Sequence, residues 1–322
     1  MFALIQKAVR ALLNSKLKIF ITIVSAAVFL LLLFPMNDLG DLVSSQVARL
    51  TGNKVFLQFE ELKMSVFPAP GVKVEQVFVE AQGVAGVSAQ EIKFTPSVGG
   101  LIAQKPYGSV NAKGLFKGDV YVSVSSGSRT ENGVERQKIE VKAQKLSLQD
   151  LREVARLPVM MKGKLDLESS ALVDLTFTEQ PDMDVNLSIS QFELPPSNVT
   201  TPMGPLTMPD LKLSAVEIKG RLAGGKLIIE NGQIGKDGDE LRGSITGNMD
   251  LSLMNAGGTI NPVLGGYTFN VNLRTKRNFQ DRAALFLSFI DAYKTATPDG
   301  AEYKFKVSAA STMVPPSIGA AR

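Results

Sequence analysis

The side chains best suited to chemistry in this sequence are the acids of the run Asp-Gly-Asp-Glu at residues 237–240. Closely spaced carboxylates around a glycine are typical of calcium-binding turns. The run lacks the further alternating ligands and the distal glutamate that a calcium loop uses. We therefore interpret it as a polar hairpin turn between strands at 227–234 and 241–253.

Other candidate groups are equally incomplete. Asp182 and Asp184 flank Met183 at the start of a predicted strand, and two carboxylates without a partner are more typical of a solvated edge than of an acid/base pair. The glycine pairs at 99–100, 224–225, 257–258 and 265–266 lack the Lys-Ser/Thr of a phosphate loop and are interpreted as turns. The basic cluster at 274–277 is either a solvated strand end or a contact for anionic lipid headgroups.

Composition narrows the chemistry further. The 322 residues include no Cys, no His and no Trp, so disulfides, thiolate nucleophiles, zinc–sulfur sites and histidine bases are excluded. We predict that the protein is not an enzyme and holds no metal and no cofactor. The net charge of +4 is matched by four basic residues before position 19, which leaves the remainder near neutral and gives no support for nucleic-acid binding.

An uncharged run, IFITIVSAAVFLLLLF, occupies residues 19–34 and is followed by Pro35 and Met36. A buried core helix would show a polar face, and a cleaved signal peptide would end in a small-residue site, so we favour a retained transmembrane anchor at 19–36. Basic residues precede the run and acids follow it, which predicts an amphipathic cytoplasmic segment at 1–18 and a periplasmic bulk. The predicted location is the bacterial inner membrane, crossed once.

Beyond the anchor, apolar and polar residues alternate with period two, for example at 120–125, 139–144, 185–189 and 267–273. The fold class is therefore mainly β: a curved antiparallel sheet with a few short helices. Helices are predicted at 41–50, 148–157 and 280–295. The prolines of residues 194–209 indicate an irregular link between a first half at 40–193 and a second half at 210–322.

The second half predicts an apolar groove. Alternation places one apolar set on a common face, and glycines at 220, 243 and 247 would permit curvature. The cover of this face is either the 280–295 helix, a partner protein or an acyl chain. The predicted groove residues are Leu213, Ile218, Leu227, Ile229, Ile245, Leu251, Phe269, Val271 and Leu273.

Two segments carry a family resemblance. The stretch MSVFPAPGVKVEQVFV at 64–79, following LTGNKV at 50–55, resembles the N-terminal module of AsmA-like envelope proteins. In a chain of this length it also resembles protein N of type II secretion systems (GspN) in its deltaproteobacterial and spirochaete form, and residues 224–273 fit the same pattern. The residues that carry the predicted hairpin are Phe67, Pro68, Pro70, Gly71, Val72, Val74, Val77 and Val79.

The resemblance implies an inner-membrane, periplasm-facing component of a secretion machine. Its expected role is structural or in assembly, and its partners are membrane lipid at the anchor and other secretion-system envelope proteins. The alternative is an AsmA-like protein that binds or carries lipid or another hydrophobic ligand along a curved sheet. A carrier needs a continuous open apolar track, whereas a structural sheet closes that face.

Overall fold

The structure is a computed structural model of the chain. It describes residues 20–22, 25, 29, 38–65, 70–81, 84–105, 107–130, 133–155, 159–176, 178–201, 204–256 and 259–321. Most of the anchor predicted at 19–36, and all of the segment at 1–18, lie outside the described residues. Among the described residues, no helix has the length and apolar character needed to span a membrane.

One antiparallel sheet dominates the molecule. Its order is β1-β3-β4-β5-β6-β7-β8-β9-β12-β13-β14-β15-β17-β16, with β2 also paired to β3 and β18 to β17. Neighbours in the chain are thus mostly neighbours in the sheet, and the mainly β prediction is confirmed. The strands are β1 (Val55–Gln58), β2 (Glu61–Ser65), β3 (Gly71–Ala81), β4 (Val84–Pro96), β5 (Gly108–Leu115), β6 (Gly118–Arg129), β7 (Glu135–Ser147), β8 (Lys162–Val173), β9 (Asp182–Leu194), β10 (Ser197–Thr201), β11 (Gly204–Met208), β12 (Leu211–Ala223), β13 (Lys226–Ile234), β14 (Leu241–Ala256), β15 (Thr259–Lys276), β16 (Lys294–Thr297), β17 (Gly300–Ala309) and β18 (Ser317–Ala320).

Short helices join or flank the strands. They are α1 (Asp38–Leu50), α2 (Val98–Ile102), α3 (Leu148–Ala155), α4 (Arg277–Arg282) and α5 (Ala284–Ser288), with a 3₁₀ turn at Asp291–Tyr293. The helices predicted at 41–50 and 148–157 correspond to α1 and α3. Thr51 ends α1: its hydroxyl donates to the Val47 carbonyl at 2.7 Å and accepts from the Val55 amide at 3.2 Å.

The prediction of one continuous helix at 280–295 is wrong. The segment is broken into α4, α5 and the 3₁₀ turn, and strand β16 begins at Lys294. Its apolar spacing is nevertheless helical, since Phe279, Ala283, Leu287 and Ile290 are all buried against the sheet. The breaks let a short chain follow the sheet surface while keeping one apolar stripe in contact with it.

The Pro-rich link is also more regular than its composition indicates. Strands β10 and β11 pair as a separate antiparallel hairpin, with Thr200 opposite Pro205. A two-stranded hairpin tolerates proline because the edge of each strand needs no amide donor. The halves on either side of this hairpin are not separate sheets, since β9 pairs directly with β12.

Candidate binding surface: the apolar face of the sheet

An unbroken apolar row crosses twelve strands of the sheet. Cross-strand partners in an antiparallel pair lie on the same face, so the row can be followed from pair to pair. At about 4.8 Å between strands, it spans roughly 50 Å. In order from β3 to β17, this first row is Val74, Ile92, Ala112, Val120, Ala143, Leu167, Leu187, Ile218, Gly232, Ile245, Val271 and Phe305.

Two further rows run beside the first. On β6, for example, Val120, Val122 and Val124 belong to the first, second and third rows. The second row is Val72, Phe94, Val110, Val122, Val141, Ser169, Val185, Gly220, Ile229, Gly247, Phe269 and Val307. The third row, from β5 to β17, is Gly108, Val124, Ile139, Ala171, Met183, Leu222, Leu227, Met249, Tyr267 and Ala309. We call these three rows together the apolar face.

Two glycines of the rows, Gly232 and Gly247, lie in close contact with residues of a neighbouring strand. A Cβ atom at Gly232 would lie 2.4 Å from Cγ2 of Ile245, so the Ile245 side chain covers the glycine and fills the row. At Gly247, φ is +148° and a Cβ would lie 2.1 Å from the Thr268 carbonyl oxygen. No other residue type fits there without moving backbone.

The opposite face of the sheet is polar and held by exposed ion pairs. Lys73 contacts Glu75 at 2.8 Å and Glu91 at 2.9 Å, and Lys113 reaches Glu91 at 3.4 Å. Hydrogen bonds from Lys73 lower the pKa of both Glu75 and Glu91 below the usual range. Such exposed pairs add little stability, so the two-sided character of the sheet rests on the apolar face.

Helices pack against the sheet near one end of its strands. There α4 contacts β15 and β17, and α3 contacts β4, β7 and β8. The α4–α5 segment forms a core with Ala301, Tyr303 and Phe305, in which Tyr303 is 1% exposed. Away from these helices, the central members of the first row, such as Leu167, Leu187 and Ile218, are only partly buried.

The β8–β9 connection lies at the other end of the strands. Asp174, 3% exposed, accepts hydrogen bonds from the amides and hydroxyls of Thr176 and Thr178. Burial by itself would raise the pKa of Asp174, but these hydrogen bonds hold it well below the usual range. Further along, the Gln180 side chain pairs with the Leu253 backbone at 2.8 and 3.1 Å.

The structure places the nine predicted groove residues on β12 to β15. Six of them belong to the rows: Ile218, Ile245 and Val271 to the first, Ile229 and Phe269 to the second, and Leu227 to the third. The other three continue the face toward its ends. Leu273 pairs with Tyr303, Leu251 pairs with Leu264, and Leu213 is buried opposite Phe192.

The predicted Phe67–Val79 hairpin corresponds to β2 and β3, with Met64 opposite Val72. Phe67 and Pro68 lie outside the described residues. Pro70 is exposed and directly precedes Gly71, the first residue of β3. Val72 and Val74 belong to the apolar face, and Val77 and Val79 pair with Ala89 and Val87 on β4, with Val77 only 2% exposed.

The acidic residues considered for a calcium site or an acid/base pair contact other residues of the protein. Asp239 accepts from Ser214 and from the Lys236 amide, which identifies 237–240 as the β13–β14 turn. Asp182 pairs with Arg136 at 2.5 Å. Within the described part of the chain, no group of three acidic side chains is placed to hold a metal ion.

The basic cluster and the glycine pairs have structural roles as well. Arg274 pairs with Glu302 at 2.9 Å, and Lys276 donates to the Gly238 carbonyl at 2.6 Å. Of the glycine pairs, 224–225 forms a turn, 99–100 lies in α2, and 257–258 lies outside the described residues. The pair at 265–266 was predicted to be a turn, but it lies within β15, where these two residues of β15 oppose one residue of β14.

Sequence reasoning missed the first half of the apolar face. Residues such as Ile92, Val122 and Leu187 stand in the same rows as the predicted groove. The signal was present, because the alternation at 120–125, 139–144 and 185–189 is as regular as that of the second half. Register between distant strands is what joins the two halves, and no single segment specifies it.

The arrangement defines a class of protein: a long antiparallel sheet with one polar and one apolar face. The family model described as "Type II secretion system protein GspN-like, Synergistales" matches residues 9–200. The match covers more than half of the chain, and the protein therefore belongs to the GspN-like family of type II secretion proteins. Comparison with curated proteins and with solved structures gave no match.

Proposed function

We propose that this protein is a non-enzymatic inner-membrane component of a type II secretion system, with a structural or assembly role on the periplasmic side. The observation that carries the proposal is membership of the GspN-like family. The apolar run at 19–36 and its basic flank support a single-pass anchor with residues 1–18 in the cytoplasm. The partners are then other envelope proteins of the same machine.

A second candidate function rests on the three rows of the apolar face. A sheet that only holds a complex together would bury its apolar face under its own side chains or helices, yet the central residues of the first row stay partly exposed. We infer that a lipid acyl chain or another hydrophobic ligand lies along this face, as the AsmA-like resemblance of residues 64–79 implies.

One experiment separates the two functions. The full-length protein is crosslinked in its native membrane and recovered, and both the bound proteins and the bound lipids are identified. Recovery of secretion-system envelope proteins supports the assembly role. Acyl lipids crosslinked to probes at Leu187 and Ile218, but not at the polar-face residue Ser125, which lies opposite Lys138, support the ligand role. If neither envelope proteins nor lipids are recovered, both functions are rejected.

The membrane topology has its own test. A reporter that is active only in the periplasm, fused after residue 322, is expected to be active. An inactive fusion, or a mature protein that begins near Ala27, would contradict the proposed anchor.

A further inference from the structure

The two ends of the sheet differ in character. Helix α1 leads into β1, whose first residue Val55 pairs with Ala81, the last residue of β3. The end of the sheet where β3 finishes is therefore the α1 end. The opposite end carries the β2–β3, β4–β5, β6–β7, β8–β9, β12–β13, β14–β15 and β17–β18 connections, because the strands alternate in direction.

Aliphatic side chains protrude from four of these connections, β4–β5, β8–β9, β14–β15 and β17–β18. Ile102 is 81% exposed and Met313 is 93% exposed, which is far from the burial such side chains usually reach. We call this set the aliphatic rim. Its members are Val98, Leu101 and Ile102 in the β4–β5 connection, Leu175 in the β8–β9 connection, Met254, Val263 and Leu264 at the β14–β15 hairpin, and Met313 and Val314 in the β17–β18 connection.

The rim is almost free of available charge. The β4–β5, β8–β9 and β17–β18 connections, at 97–107, 174–181 and 310–316, and the end of the β14–β15 hairpin, at 254–264, contain only three charged residues: Lys105, Asp174 and Glu179. Lys105 is paired with Glu135, Asp174 is enclosed in its own turn, and Glu179 is paired with Arg136 at 3.0 Å. None of these three residues presents an unpaired charge that would oppose entry into an apolar medium.

The spacing of the rim favours a membrane over a protein. The β4–β5, β8–β9 and β14–β15 connections are four strands apart along the sheet, or about 19 Å at ~4.8 Å per strand. A protein partner needs a contiguous, complementary surface. Separate aliphatic tips, by contrast, can each enter a lipid surface without matching its shape.

We propose that the aliphatic rim inserts into a lipid surface at the end of the sheet opposite α1. The binding is apolar, so it requires neither anionic lipid nor low salt. The apolar face of the sheet would then end at that lipid surface, since Phe94, a member of the second row near the rim, is itself 46% exposed.

The chain contains no cysteine, which allows single-cysteine reporters in the full-length protein. Ile102→Cys and Met313→Cys place a polarity-sensitive fluorophore on the rim. Leu285→Cys is the matched control, because Leu285 is an exposed aliphatic residue in α5 at the α1 end. Each labelled protein is reconstituted into vesicles, and protein-free vesicles of neutral phosphatidylcholine with a nitroxide-labelled lipid are then added.

Fluorophores at positions 102 and 313 should become brighter with unlabelled added vesicles and be quenched by the nitroxide lipid, at low and at high salt alike. The label at 285 should not respond. Leu101→Asp, read out from the label at 313, should weaken binding by about tenfold or more, because one aliphatic insertion is replaced by a charge.

Absence of nitroxide quenching at both rim positions would overturn the proposal, as would equal quenching at position 285. A response that requires anionic vesicles and vanishes in high salt would also overturn it, and so would a rim that responds to secretion-system proteins but not to vesicles. None of these outcomes bears on membership of a secretion complex, which the crosslinking experiment tests separately.

Discussion

The openness of the apolar face can be tested with two leucines of the same sheet. Leu187, in the first row on β9, is partly buried between Leu167 and Ile218. Leu222, in the third row on the neighbouring strand β12, is 2% exposed. Replacing each by Asn introduces the same near-isosteric amide at a partly open and at a closed position.

The expected costs differ because only one amide can keep water. Leu222→Asn loses about 2–3 kcal/mol of apolar burial and about 1–3 kcal/mol for an unsatisfied polar group, or roughly 4 kcal/mol in the free energy of unfolding. Leu187→Asn loses only part of the burial and leaves the amide hydrated, so about 1–2 kcal/mol is expected. The difference between the variants is therefore about 2–3 kcal/mol.

The measurement is urea unfolding of the full-length chain in lipid nanodiscs, followed by far-UV circular dichroism. The shift of the midpoint relative to the unsubstituted protein gives the ranking, even if unfolding of so long a sheet involves intermediates. Equal midpoint shifts for the two variants would refute the reasoning, because Leu187 would then be as closed off from water as Leu222. The apolar face could not in that case hold a ligand at its centre.

Three further outcomes follow from named contacts. Val77→Asp should destabilise the protein more than Val74→Asp, because Val77 is 2% exposed and Val74 is partly buried; thermal unfolding compares them, and the reverse order would show that Val74 is the more enclosed of the two. Gly247→Ala should cost more than the ~1 kcal/mol by which glycine and alanine usually differ, since its Cβ would meet the Thr268 carbonyl; an unchanged melting temperature would contradict the tight packing. Asp174→Asn should lower the melting temperature most at neutral pH. The lowered pKa of Asp174 stabilises the folded protein at pH values above the ordinary pKa of an aspartate, and this stabilisation is lost as the pH falls toward the lowered pKa. The difference in melting temperature between the variant and the unsubstituted protein should therefore become smaller below about pH 4. A gap independent of pH would mean that the charge of Asp174 is not what its turn uses.

The fold class followed from the sequence because an antiparallel sheet with one wet face imposes period two on each strand. The alternation at 120–125 and 267–273 reports burial strand by strand, and both segments are strands. The hairpin at 237–240 was equally accessible, since a glycine among acids suits a polar turn. These features are local, and local patterns are what one sequence can reveal.

What could not be predicted depends on contacts between distant segments. The helix expected at 280–295 carried a sound apolar spacing, but its breaks are set by the surface of β15 and β17 beneath it. The hairpin of β10 and β11 arises from pairing between two short segments flanked by prolines, each of which is a poor strand alone. The aliphatic rim was missed because its members lie in four connections that only the strand order brings to one end.

The apolar face stays continuous because a β-bulge shifts the alternation of apolar residues within a strand. The same shift interrupts the period-two pattern in the sequence. Ala143 and Leu146 on β7 are three residues apart, which in a regular strand would place them on opposite faces. Both are buried and pair with successive apolar residues of β8, Leu167 and Leu165. Lys145, with φ at +56°, supplies the extra residue of a bulge, and the side chain of Asp166 accepts its amide hydrogen bond at 2.9 Å.

Two other strands change phase at a residue with positive φ. Gln76 on β3 and Gln191 on β9 also adopt positive φ, of 51° and 54°. Gln76 lies between Val74 and Val77, and Gln191 lies between Ile189 and Phe192, so the apolar residues on each side are three apart in the chain. Non-glycine residues rarely adopt this conformation, because it brings Cβ close to the following carbonyl. Its recurrence on three strands means that the sheet accepts local backbone strain in order to keep one face apolar. Such strain is retained where the rest of the structure holds it in place, and a continuous face is the feature that all three positions share.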